Sequence, residues 1–141
     1  MNSPEKKKHL GRNIVLISAL IIAIGSIAPF AGFEDFVVYG LQGDGKLTLA
    51  IGVIIIASVL FKKIPAYVNI LFSSLALALA AFDYSRLSET TSSIKTTVTT
   101  NPYMTDVASS LQMGSGLQLI MMGAMGVIAG SIIHMIQKKN A

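Results

Sequence analysis

"GLQLIMMGAMGVIAGSIIHMI", residues 116–136, runs without a formal charge, and its glycines are regularly spaced. Gly116, Gly123 and Gly130 recur every seven residues. At about 100° per residue, a seven-residue step drifts only slightly around a helix, so the three share one stripe. His134, one turn beyond Gly130, falls on that stripe. Gly126 and Gly130 form a Gly-x-x-x-Gly pair, an element that lets two helix backbones approach closely. The stretch therefore predicts a long apolar helix that packs through glycine, first against a helix of the same chain and alternatively against another copy. Met121, Met122 and Met125 read as flexible fillers rather than metal ligands.

Three further apolar stretches precede it: Ile14 to Phe30, Leu47 to Phe61 and Ala66 to Phe82. A helix that crosses a bilayer needs about 20 apolar residues. The second stretch is short, but it extends to Ile64 if Lys62 and Lys63 stretch their stems along the helix and place their ammonium groups at the interface. The chain of 141 residues is 52% hydrophobic and 13% charged, with mean hydropathy +0.66, a membrane composition. The predicted fold class is an all-α membrane protein, a four-transmembrane-helix bundle with a small extracellular β-hairpin and loop cap. The whole chain, 1–141, forms one integral domain, with spans at about 14–30, 47–64, 66–82 and 117–136 and outer loops at 31–46 and 83–116. The basic N-terminus, the first apolar run and the small residues Ser26 and Ala28 also resemble a secretory signal peptide, whose removal would leave three spans.

The charge has sides. Lys6, Lys7, Lys8 and Arg12 precede the first stretch, Lys62 and Lys63 separate the second from the third, and Lys138 and Lys139 follow the fourth, so eight of the eleven basic residues share one side. The other side carries Lys46, Arg86 and Lys95 against six acidic residues, a net charge of −3. An excess of Lys and Arg marks the cytoplasmic face, which predicts a multi-pass protein of the plasma membrane with both termini inside. The same distribution argues against nucleic acid as a partner. The segment "MNSPEKKKHLGRN" reads as an anchor to anionic headgroups, each basic residue contributing on the order of 1 kcal/mol near such a surface. His9 takes no further role.

Between the first two spans lies "VVYGLQGDGKLTLAIG", residues 37–52. Asp-Gly is a strong hairpin signal because both positions tolerate positive φ. Phe36 to Tyr39 and Lys46 to Leu49 are therefore expected to be the arms of a β-hairpin around Gly43-Asp44-Gly45. A twelve-residue calcium loop would need oxygen ligands at alternating positions and a distal carboxylate, which Lys46, Leu47 and Thr48 do not supply. A phosphate loop would continue Lys-Ser or Lys-Thr, and here the chain reads Gly-Lys-Leu. Glu34 and Asp35 joining Asp44 around a divalent ion is the minor alternative to a plain turn.

Pro65 suits the first turn of the third helix, and the short "FKKIPAY" makes the second and third spans antiparallel neighbours. Asn69, Ser73, Ser74 and the alanines of the third span read as helix-packing positions. Residues 85–114 are rich in Ser and Thr and form the longest polar segment, the place to seek a partner. The candidate partner contacts are Glu34, Tyr39, Asp44 and Tyr103; the candidate packing residues are Gly116, Gly123, Gly126, Gly130 and His134.

No chemistry of a known kind is spelled out. There is no cysteine, no His-Glu-x-x-His, no Gly-x-Ser-x-Gly and no phosphate loop, and the two histidines stand near opposite ends of the chain. The centres of the four spans carry no charge, which argues against a self-sufficient pump of charged solutes. No catalytic residue, metal or cofactor is expected.

The Gly-x-x-Gly-Asp-Gly of residues 40–45 and the glycine-rich "GSGLQLIMMGAMGVIAGSII" after a polar outer segment resemble a group of small bacterial four-span membrane proteins with no established common activity. The resemblance implies a bacterial plasma membrane and this topology. The expected role is non-enzymatic: binding of a membrane or extracellular protein through the cap or the helix faces, as an immunity factor or an accessory subunit does. The alternative is a homo-oligomeric pore or small-solute channel whose copies meet on the glycine stripe.

Overall fold

The computed structural model describes residues 9–33, 36–61, 64–98 and 112–139. Four helices carry the structure: α1 (Leu10–Ile27), α2 (Gly45–Phe61), α3 (Ala66–Val98) and α4 (Ser115–Lys139). A small sheet joins three strands, β1 (Pro29–Phe33), β2 (Phe36–Tyr39) and β3 (Gln112–Met113), in the order β2-β1-β3. In the main helix contacts, α1 and α3 each pack against both α2 and α4. Neighbours run antiparallel: Gly25 of α1 faces Gly116 of α4, and Gly11 faces His134. Ser26 of α1 meets Thr48 of α2, and Ser58 of α2 meets Asn69 of α3. Helices α1, α3 and α4 are long and apolar enough to cross a membrane, whereas α2, with 17 residues, is a shorter apolar helix.

The buried positions follow helical spacing. On α1 they are Gly11, Val15, Ser18, Ala19, Ile22, Gly25 and Ser26, and on α4 they repeat from Gly116 to Ser131 with the same spacing. Small and hydroxyl residues sit inside: Ser26, Ser73 and Ser131 are fully buried. Aliphatic residues such as Ile22, Ile55, Leu117 and Ile120 are buried beside them, while many others face outward, with Ile17 60% and Leu71 70% exposed. The buried hydroxyls mostly bond within their own helices. Ser26 donates to the Ile22 carbonyl (2.8 Å), Thr48 to Gly45 (3.1 Å), Ser58 to Ile55 (2.7 Å) and Ser73 to Ile70 (3.0 Å). Asn69 Oδ1 competes with the Ile55 carbonyl for the single Ser58 hydroxyl proton across the α2–α3 contact.

Three expectations are corrected. Helix α1 stops at Ile27 rather than continuing to Phe30, because a residue before proline is disfavoured in the α region; Ala28 is extended, with ψ 163°. The chain then enters β1, which pairs with β2 from Pro29↔Tyr39 to Phe33↔Phe36, with a bulge between Pro29 and Ala31.

The Gly-Asp-Gly is not a hairpin turn. Asp44 accepts the first backbone bonds of α2, from Leu47 N (3.0 Å) and Thr48 N (3.3 Å), so Lys46 to Leu49 are helical. Gly43 has φ −131°, outside the left-handed region. Gly45 meets a different need: a Cβ there would lie 2.4 Å from the Gly40 carbonyl oxygen, so the two backbones touch.

The predicted outer loop 83–116 begins as helix, since α3 continues to Val98. No Gly or Pro stands between Pro65 and Pro102 to end it. In the polar extension beyond Phe82, hydroxyls back-bond along the helix: Thr90 to the Arg86 carbonyl (2.8 Å) and Thr91 to Leu87 (2.7 Å). The Arg86 guanidinium lies 4.7 Å from the centre of the Phe82 ring.

Candidate functional site

The glycine stripe of α4 lies against α1 of the same chain. A Cβ on Gly123 would come 2.7 Å from Ile22 Cγ1 and 2.8 Å from the Ser18 carbonyl oxygen; one on Gly126 would come 2.3 Å from Ser18 Oγ. One on Gly116 would lie 2.8 Å from the Gly25 carbonyl oxygen, and one on Gly130 3.0 Å from Val15 N. At the far end, a Cβ on Gly11 would lie 2.6 Å from the His134 backbone nitrogen. The stripe is thus occupied within one chain. Its counterpart on α1, Gly11, Ser18 and Gly25, also recurs every seven residues. That spacing was visible in the sequence and is the signal that would have paired the two helices.

The sheet closes one end of this seam. Phe30, at the bulge, is buried, and Cβ atoms on Gly40 or Gly116 would meet its ring at 2.6 Å and 2.8 Å. Gly114 N donates to the Phe30 carbonyl (2.8 Å), tying the start of α4 to β1. Of the predicted partner contacts, Tyr39 stands on the edge strand β2 and is 48% exposed; its backbone N–H donates to Gln42 Oε1 (3.2 Å). Asp44 is exposed at the start of α2. Glu34 and Tyr103 lie outside the described residues. Asp83, the first residue beyond the apolar part of α3, has its pKa raised by burial, then by the charge and hydrogen bond of the Asp44 carboxyl, with the Arg86 charge opposing. Among the described residues no three His, Asp or Glu converge to hold a metal ion.

The opposite end, where α1 and α3 begin and α2 and α4 finish, holds a cavity of about 490 Å³. Its polar wall includes His9 and Arg12 from α1 and its cap, Ser58 and Asn69 from the α2–α3 contact, and Ser131, His134 and Lys138 from α4. Val15, Val59 and Met135 supply apolar wall. Three lining residues carry buried polar atoms that find no hydrogen-bond partner among the described residues: Arg12 Nε, Ser131 Oγ and His134 Nδ1. Ser131 is fully buried and, unlike Ser26, Ser58 and Ser73, leaves its hydroxyl unspent. Among the described residues no carboxylate lines the cavity. Sequence reading placed His134 on the glycine stripe but missed Arg12 and Ser131, because nothing in linear order brings residues 12, 69 and 131 to one wall.

Compared with protein-family models, with curated proteins and with solved structures, the chain matches none.

Proposed function

We propose that this is a non-enzymatic, four-span integral membrane protein with cytoplasmic termini, and that it works by binding a protein partner at its sheet-bearing outer end. Membrane placement is supported by the many large aliphatic residues on the outer surface of the helices and by the small and hydroxyl residues buried between them. Helix association in lipid relies on close packing and interhelical hydrogen bonds rather than on hydrophobic burial. Helix α2 is counted as a span because it packs antiparallel to spans on both sides. At about 1.5 Å per residue, its 17 residues reach roughly 25 Å against a hydrocarbon core of about 30 Å. Lysines reaching to the interface and modest thinning absorb that shortfall. The basic residues at the other end set the orientation.

The observation that carries the binding role is edge strand β2. Among the described residues it pairs on one side only, with β1, and Val38, Tyr39 and the following Leu41 are exposed beyond the apolar spans. An open edge with exposed apolar side chains suits a partner that adds an extended segment to the sheet. The pore alternative loses its stated contact surface, because α1 covers the glycine stripe.

Purification from native membranes in mild detergent, with mass analysis of the intact particle, tests this. The expected result is a second protein in fixed ratio, lost on Val38→Lys with Tyr39→Ser while the variant's thermal midpoint stays within a few degrees of the parent. A homogeneous homo-oligomer without a partner would move the assignment to the pore.

A further inference from the structure

We propose that the cavity at the basic end is a binding site for a phosphate group, with Arg12, Ser131 and His134 as its donors and Lys138 as a further positive charge. The site lies at the end opposite β2 and does not depend on the partner proposed there. Three independent features of the wall point to an oxyanion.

The first is hydrogen bonding. A buried polar group without a partner costs roughly 1–3 kcal/mol, so native structures rarely leave one. Here three residues that line one cavity each carry such an atom. Arg12 Nε–H and the Ser131 hydroxyl donate, and His134 Nδ1 donates in one tautomer. A ligand rich in acceptor oxygens satisfies all three once these side chains turn their donors into the cavity.

The second is charge. Arg12 and Lys138 are both cationic, and among the described residues no carboxylate stands in the wall. The described acidic residues Asp44, Asp83 and Glu89 belong to the start of α2 and the polar extension of α3, at the other end. The counter-charge must therefore come from outside the described structure. Helix dipoles do not reverse this, since two helix starts and two helix ends meet here and their half-charges largely cancel. Side-chain charge decides.

The third is the mix of walls. Val15, Val59 and Met135 add apolar surface to the same wall. This suits a phosphate that carries an apolar body, as a phospholipid does, and also admits free phosphate at the mouth. Both sources present the same oxygens to Arg12 and Ser131.

The test measures thermal unfolding of the purified full chain in an uncharged detergent. It compares inorganic phosphate with chloride at equal ionic strength, and phosphatidylglycerol with a neutral glycolipid at equal mole fraction. Saturable stabilisation by phosphate alone assigns a free anion; stabilisation only by phosphatidylglycerol assigns a lipid headgroup. Either supports the site. Ser131→Ala should weaken binding roughly tenfold, the loss of one hydrogen bond to a charged group, and Arg12→Gln by more. Lys138→Gln, at an exposed position, provides a variant that keeps the buried packing. No saturable response to either probe, or equal affinity in all three variants, overturns the proposal. Glu5, outside the described residues, is the sole acidic residue on this side of the sequence. A response that appears only in Glu5→Gln would mean that the chain fills the cavity itself, which also overturns it.

Discussion

The hydroxyl oxygens of Ser26 on α1 and Thr48 on α2 lie 2.8 Å apart, both buried. Each is also within bonding distance of a backbone carbonyl of its own helix, so two protons serve three contacts. Interhelical hydroxyl bonds of this kind average about 0.6 kcal/mol in membrane helices. A cycle of Ser26→Ala, Thr48→Val and the double variant should therefore show a coupling energy of that order in reversible unfolding from mixed micelles. Strict additivity would mean that the hydroxyls serve only their own helices.

Close approach of α1 and α4 makes glycine positions unequal. Gly123→Ala places a Cβ 2.7 Å from Ile22 Cγ1 and should cost roughly 1–3 kcal/mol through overpacking. Gly52→Ala meets its nearest atoms at 3.4 Å and gains roughly 0.5–1 kcal/mol of helix preference, so it should be neutral or stabilising. Unfolding of the two variants side by side checks the seam. Equal losses would contradict it.

Acidity should act through Asp83. Its folded pKa is raised above the ordinary value of 3.8, first by burial and then by Asp44. The protonated form is thus the one the fold favours: the contribution is complete below the unfolded pKa and is lost as pH rises through the folded pKa. Asp83→Asn should match the parent at low pH and become the more stable protein as pH climbs through that window. Thermal midpoints measured across the acid range decide it, and a constant difference between the two proteins would refute the linkage.

Topology can be mapped cleanly because the chain has no cysteine. Glu89→Cys, on the polar extension of α3, should react with an impermeant maleimide in intact cells, and Asn140→Cys only after permeabilisation. Labelling of both from one side would remove the four-span arrangement.

Much of the helical frame was legible from composition and spacing. The starts of α3 and α4 fall within about two residues of expectation, because Pro65 and the end of the polar segment are local signals. The sheet was harder. β1 hides inside an apolar run that reads as helix until Pro29, and its partner β3 arrives from residue 112. Gly43-Asp44-Gly45 read locally as a hairpin turn, whereas in the fold it leads into α2, with Gly45 packed against Gly40. The candidate partner residues are only partly described: Tyr39 is exposed on an edge, Asp44 stands beside Asp83, and Glu34 and Tyr103 lie outside the described residues.

By itself the sequence determined the number of apolar helices, roughly where each begins and the basic end, since each depends on residues near one another in the chain: hydropathy over a window, a proline, a run of lysines. Tertiary structure alone decided which helix covers the glycine stripe, which strands pair, and that Arg12, Asn69, Ser131 and His134 share one cavity wall. Those are relations between distant residues, set by how closely backbones can approach once side chains are absent. Linear spacing shows which face of a helix is small, and only packing shows what fills it.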